Sequence, residues 1–218
     1  VLQTETLPIY DQPLYRTREN TGVEFESLNV DKPEEKLLSI VDSMQMYLKE
    51  WDKYLIQNAK NDLSEAGMIH CKKDKENFEN EVKGYQLGLE CLKQNKLLNK
   101  SFRLMNKVFF RIGQKSGGKI HSWRLFQICF IVSQIPGLLA REINDSYDQT
   151  FKLAVMQAFE RASVLWFPTG GGKTEAYLGL IATSLIFDRI RGKTRGINTW
   201  MRFPLRMLSL QQMERLSK

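Results

Sequence analysis

The chain has 218 residues, 42% hydrophobic and 26% charged, and 32 Lys and Arg against 25 Asp and Glu give it a net charge of +7. Such a length can bury a substantial core as one large unit or two small ones, while three scattered cysteines, Cys71, Cys91 and Cys129, argue against a disulfide framework and fit buried thiols in a reducing cytoplasm. They form no zinc-ligand pattern with His70 and His121, and the longest apolar stretch, 128–140, is interrupted and shorter than the roughly 20 residues of a bilayer span, so neither structural zinc nor a membrane segment is expected.

From residue 34 to 112 three apolar stripes recur at spacings of four and three. They are Leu37, Val41, Met44, Leu48, Trp51 and Leu55, then Phe78, Val82, Tyr85, Leu89 and Leu92, then Leu98, Phe102, Met105, Phe109 and Ile112. Each predicts a helix of ordinary length with one apolar face, and three such helices separated by loops predict a bundle packed on itself rather than a coiled coil with a partner. Residues 1–95 carry 12 Lys or Arg against 18 Asp or Glu, and residues 96–218 carry 20 against 7. The basic excess thus lies in the second part, as expected if that part meets a polyanion.

After the third stripe, Gly113 to Lys119 reads GQKSGGK, with the glycines and lysine of a phosphate loop. Ile120 stands where that loop needs Ser or Thr, so the segment reads as a solvated loop. Trp123 to Ile135, WRLFQICFIVSQI, then sets Arg124 and Gln127 three residues apart at the head of an apolar helix-like run. Gln127 there either caps or pads a buried helix or offers its amide, donor and acceptor together, to a ligand.

Ser163 to Leu180, SVLWFPTGGGKTEAYLGL, carries the most chemistry. Val164 to Phe167 has the composition and length of a buried parallel strand, and Pro168 ends it. Gly170, Gly171 and Gly172 tolerate backbone angles that let successive amides turn around a polyphosphate, and the helix starting near Lys173 presents unpaired N–H groups to the same anion. Lys173 supplies a point charge at the terminal phosphates, Thr174 a hydroxyl for Mg2+, and Glu175 closes the set. The general spacing G-x-x-x-x-G-K-[ST] is not met, because Phe167 occupies the position of its first glycine.

A basic run follows, Arg189, Arg191, Lys193 and Arg195, which reads as a soluble loop or as a polyanion contact. Ile197 to Phe203 is rich in strand formers. Pro204 is placed to open a helix whose face is shared by Leu205, Leu208, Met213 and Leu216.

These last segments resemble superfamily 2 helicases. P-L-R-M-L-S-L-Q keeps Pro204, Arg206, Leu208 and Gln211 in register with P-T-R-E-L-A-x-Q, and P-T-G-G-G-K-T matches that superfamily's loop from Thr169 onward, with Phe167 an accepted variant. The chain is also similar to the helicase subunit of DISARM-type anti-phage defence systems at SFRLMNKVF, WRLFQICFIVSQIPGL and LWFPTGGGKTEAYLGL continuing into MRFPLRMLSLQQ. The resemblance implies an ATP-dependent, Mg2+-requiring DNA helicase or translocase acting in the cytoplasm with partner defence proteins. Thr169 to Glu175 would hold the nucleotide, Gln127 with Arg124 would read adenine, and Pro204, Arg206 and Gln211 would touch the nucleic-acid backbone.

An α/β chain is therefore expected, with a helical unit over residues 1–120 and, over 121–218, the start of a RecA-like motor domain built on a parallel sheet. Motors of this kind also need a carboxylate that positions Mg2+ and water, and arginines from a second motor domain. No D-E-x-H-type segment follows the second element, and the sequence starts at Val1, so these are expected in a larger polypeptide and this piece alone is expected to hydrolyse little ATP. A restriction-type ATPase that does not unwind, or a nucleotide-holding module that docks a partner, are the competing readings.

Overall fold

The computed structural model describes residues 23–57, 62–115, 117, 120–165, 172–203 and 206–216. Its helices are α1 (Pro33–Gln57), α2 (Glu65–Gln94), α3 (Lys96–Lys115), α4 (Leu125–Leu139), α5 (Gln149–Phe159), α6 (Lys173–Ile190) and α7 (Arg206–Leu216), with a 3-10 turn at Ala140–Glu142. The three apolar stripes fall on α1, α2 and α3 as their spacing predicts.

Local chemistry sets the helix ends. Pro33 opens α1 with Glu34 and Glu35 in its first turn, where a missing N–H costs nothing and negative charge meets the helix dipole. Ser64 Oγ accepts from Gly67 N at 3.2 Å to start α2, and Asp148 accepts from Thr150 N and Phe151 N to start α5. Those two amide bonds hold the Asp148 carboxyl below its usual range. Asn95 closes α2 and opens α3. Its backbone N–H reaches Cys91 O, its Oδ1 accepts from Leu98 N at 2.9 Å, and its Nδ2 donates to Tyr147 Oη.

One core cluster runs through the bundle, including Leu37 of α1, Tyr85 and Leu92 of α2, Phe102 of α3, and Ile131 and Ile135 of α4. Val155 of α5 and Phe187 of α6 join it, so buried residues on both sides of residue 120 share one core. Burying each large apolar side chain contributes about 1.5–3 kcal/mol. The crossing of α2 and α4 is close. A β-carbon on Gly88 would lie 2.0 Å from the carbonyl oxygen of Val132, so only glycine fits there.

Trp123 joins the parts. Its Nε1 donates to buried Asn106 Oδ1 at 2.7 Å, its ring packs edge-on against Phe25 and tilted against Phe109, and its backbone N–H bonds Val23 O while Phe25 N bonds His121 O. Gly179 of α6 lies so close to Trp123 and Ile131 that a β-carbon there would sit 2.8 and 2.7 Å from their side chains.

The expected parallel sheet is corrected. Among the described residues there is no strand, only an isolated antiparallel bridge between Glu24 and Ser122, and the fold is all-helical. Val164 and Leu165 are irregular, with Val164 89% exposed, and Ser163 Oγ is tied instead to Gln134 Oε1 of α4. Ile197 to Phe203 also makes no ladder, and its Trp200 is 81% exposed. Strand-forming composition describes how a residue fits a pleated, half-buried surface, and among the described residues neither Val164 and Leu165 nor Ile197 to Phe203 has a neighbouring strand to supply one. Trp166, Phe167 and Pro168 lie outside the described residues. The segment Gly113 to Lys119, expected as a solvated loop, differs at its start, because Gly113 is buried in the last turn of α3.

Candidate nucleotide and nucleic-acid site

Helix α6 begins at Lys173, as the sequence predicts. Gly172 is its N-cap with φ 89° and ψ 25°, a left-handed conformation that glycine takes at little cost. Lacking a side chain, Gly172 offers no side-chain cap to the first turn, and a helix N-terminus favours negative charge through its dipole. Lys173, Thr174 and Glu175 all lie in this first turn, half-buried. Thr169, Gly170 and Gly171 lie outside the described residues.

Gln127 is brought to the same place. It is the third residue of α4 and is buried, and its Oε1 accepts from Arg124 N at 2.7 Å, closing half of a capping box. Its Nε2 donates to Gly172 O, also at 2.7 Å, across 45 residues of sequence. A β-carbon on Gly172 would lie 2.7 Å from Gln127 Nε2, 3.3 Å from Glu175 Oε2 and 3.7 Å from Arg124 Nη1, so these three side chains converge on the α6 N-terminus. The Gln127 amide makes one backbone bond at each end, which fastens the two segments together, and an amide's second N–H and second oxygen lone pair are compatible with a ligand contact as well. The capping role foreseen for it is present.

Thr174 is linked onward. Tyr177 Oη lies 3.2 Å from Thr174 Oγ1 and 2.9 Å from Gln212 Oε1, joining the first turn of α6 to α7. Gln211, the residue matched by motif register, is exposed, and its neighbour Gln212 makes the contact. Sequence reading missed Tyr177 and Gln212. Tyr177 stands three residues after Thr174 on one helix face, so spacing could have found it. Arg206 starts α7, and Pro204 lies outside the described residues.

Half of the basic run turns inward. Arg191 bonds Asp188 Oδ1 through Nε at 2.9 Å and Nη2 at 2.7 Å and also pairs with Glu142, while Lys193 Nζ and Asn198 Nδ2 bond Asp188 Oδ2 at 2.9 and 2.6 Å. Burial pushes the Asp188 carboxyl up, but the bonds from Asn198, Lys193 and Arg191 together outweigh it and hold the group well below the usual carboxylate range. This hub fixes the segment after α6 against that helix. Among the thiols, burial pushes Cys129 up to about 12 and Cys91 higher still, which keeps both protonated and unreactive.

At the class level the arrangement is a glycine-capped helix N-terminus held by a polar side chain from the first turn of a second helix. No family model matches the chain. The chain is similar to the DISARM protein DrmA of Bacillus paralicheniformis, 36% identical over 103 residues that cover 44% of this chain and 8% of that protein. The chain therefore matches only a small part of that relative's length. Among the described residues no helix is long and apolar enough to cross a membrane.

Proposed function

We propose that this chain is the nucleotide-binding part of an ATP-dependent, superfamily 2-type DNA helicase or translocase that acts in anti-phage defence with partner proteins. The observation that carries the reading is the Gln127 to Gly172 bond. It joins the two segments that helicase resemblance assigns to adenine and phosphate. The similarity to a DISARM protein supports the defence role.

In this reading the first-turn amides of α6 and Lys173 bind the phosphates, Thr174 holds Mg2+, and Arg124 and Glu175 shape the entrance beside Gly172. Bound ATP with Mg2+ supplies the phosphoryl-transfer free energy. Arg206 at the head of α7 and Gln211 midway along it, with Pro204, contact the DNA backbone, and the Tyr177 bridge connects that helix to Thr174.

Thermal melting with Mg2+ and ATP tests the proposal. Ligand at 100 times its Kd adds about 2.7 kcal/mol to a folded state that alone binds it. The native chain should show an upward shift that Lys173→Ala loses. Equal melting of both with and without ATP would refute the reading.

A further inference from the structure

We propose a second nucleic-acid contact surface, on α3, where one exposed face carries the phosphate backbone of a strand. The helix KLLNKSFRLMNKVFFRIGQK holds six cations, Lys96, Lys100, Arg103, Lys107, Arg111 and Lys115, and no acidic residue. At 3.6 residues per turn, the first five fall within an arc of about 80° and span about 22 Å. Leu98, Phe102 and Met105 on the opposite face are buried in the core, so the basic stripe faces outward.

The groove beside the stripe, about 990 Å³, has acids along its other wall, but each is already answered. Glu35 pairs with Lys32, Glu90 with Lys93 and Asp31 with Arg103, and buried Glu34 accepts from Asn99 Nδ2 at 2.8 Å. Lys96, Lys100, Lys107 and Arg111 make no ion pair among the described residues and are exposed. Arg103, the paired member, keeps a buried Nε without a hydrogen-bond partner among the described residues.

An evenly spaced row of cations over such a length suits a uniformly charged polymer rather than a compact anion, because a nucleic-acid strand presents about one charge per 3.4 Å along the axis. An acidic protein would need an equally regular run of carboxylates to match it. This surface is independent of the α6 nucleotide site, so its test needs no ATP.

Binding of a labelled single-stranded 20-mer to the 218-residue chain should be followed by anisotropy at several salt concentrations. The triple substitution Lys100→Ala, Lys107→Ala, Arg111→Ala should flatten the log-log salt slope by about 2, at roughly 0.7 per lost phosphate contact, and weaken low-salt binding at least tenfold. A control triple on α1, Lys36→Ala, Lys49→Ala, Lys53→Ala, should leave both unchanged. A stripe variant with an unaltered slope, a control that loses as much, or displacement of the oligonucleotide by polyglutamate at equal charge concentration would each overturn the proposal. Because nucleotide is absent from these measurements, a failed nucleotide reading would leave the result intact.

Discussion

Gln127 Nε2 donates to Gly172 O at 2.7 Å, and through that bond the first turn of α4 is fastened to the N-cap of α6. Replacing Gln127 with alanine removes its bonds to the half-buried Gly172 carbonyl and to the amide of exposed Arg124. Each bond of this kind contributes about 0.5–1.5 kcal/mol. Gln127→Ala should therefore lower the unfolding midpoint in urea with an unchanged slope, and a midpoint equal to that of the native chain would show that the bond contributes nothing.

The closeness of α2 and α4 makes a second prediction. Gly88→Ala sets a β-carbon against the backbone carbonyl of Val132, and a backbone atom cannot rotate away as a side chain can. The helices must separate, at a cost of about 1–3 kcal/mol for overpacking. A β-carbon added at Gly137 would meet nothing within 4 Å outside its own helix backbone and chain neighbours, so Gly137→Ala should be tolerated by comparison. Melting temperatures of the two variants compare them directly.

Asp188 predicts a pH dependence. Its carboxyl is held below the ordinary value near 3.9, so the ionised form stabilises the fold at neutral pH, and that contribution fades as pH falls below about 4 towards the depressed folded value. Asp188→Asn should melt below the native chain at pH 7, and the gap should narrow as pH is lowered to 3. A gap that stays constant over that range would remove the carboxylate charge as its cause.

Tyr177→Phe removes the hydroxyl near Gln212 and Thr174 while keeping the ring. Losing one such bond costs about 1 kcal/mol. Amide hydrogen exchange in α7 should quicken relative to the native chain while α2 is unaffected, and unchanged exchange in α7 would show that the bridge does not hold that helix.

Much of the helical architecture was legible because its signal is periodic. The stripes through Leu37, Tyr85 and Phe102 place their helices on the core, and the change from glycines to Lys173 and Thr174 marks the start of α6. The sheet was misread because strand propensity at Val164 and Ile197 is a local property, whereas a ladder requires a neighbour that local sequence does not name. Asp188 as the partner of Arg191, Lys193 and Asn198 was likewise hidden, since a basic run looks the same whether it faces solvent or a buried carboxylate. The joining of Gln127 to Gly172 depends on how α4 and α6 pack around Trp123 and Ile131, a relation across 45 residues that spacing does not encode.

The central claim is that the α6 N-terminus, with Lys173 and Gln127, holds an adenine nucleotide. Calorimetric titration of the native chain with ATP in Mg2+ tests it most directly, alongside GTP and the variants Lys173→Ala and Gln127→Ala. The account predicts saturable ATP binding that weakens at least tenfold in Lys173→Ala, with a preference for ATP over GTP that Gln127→Ala reduces. Heats indistinguishable from dilution in a folded native chain, or equal affinity in native and Lys173→Ala chains, would contradict it.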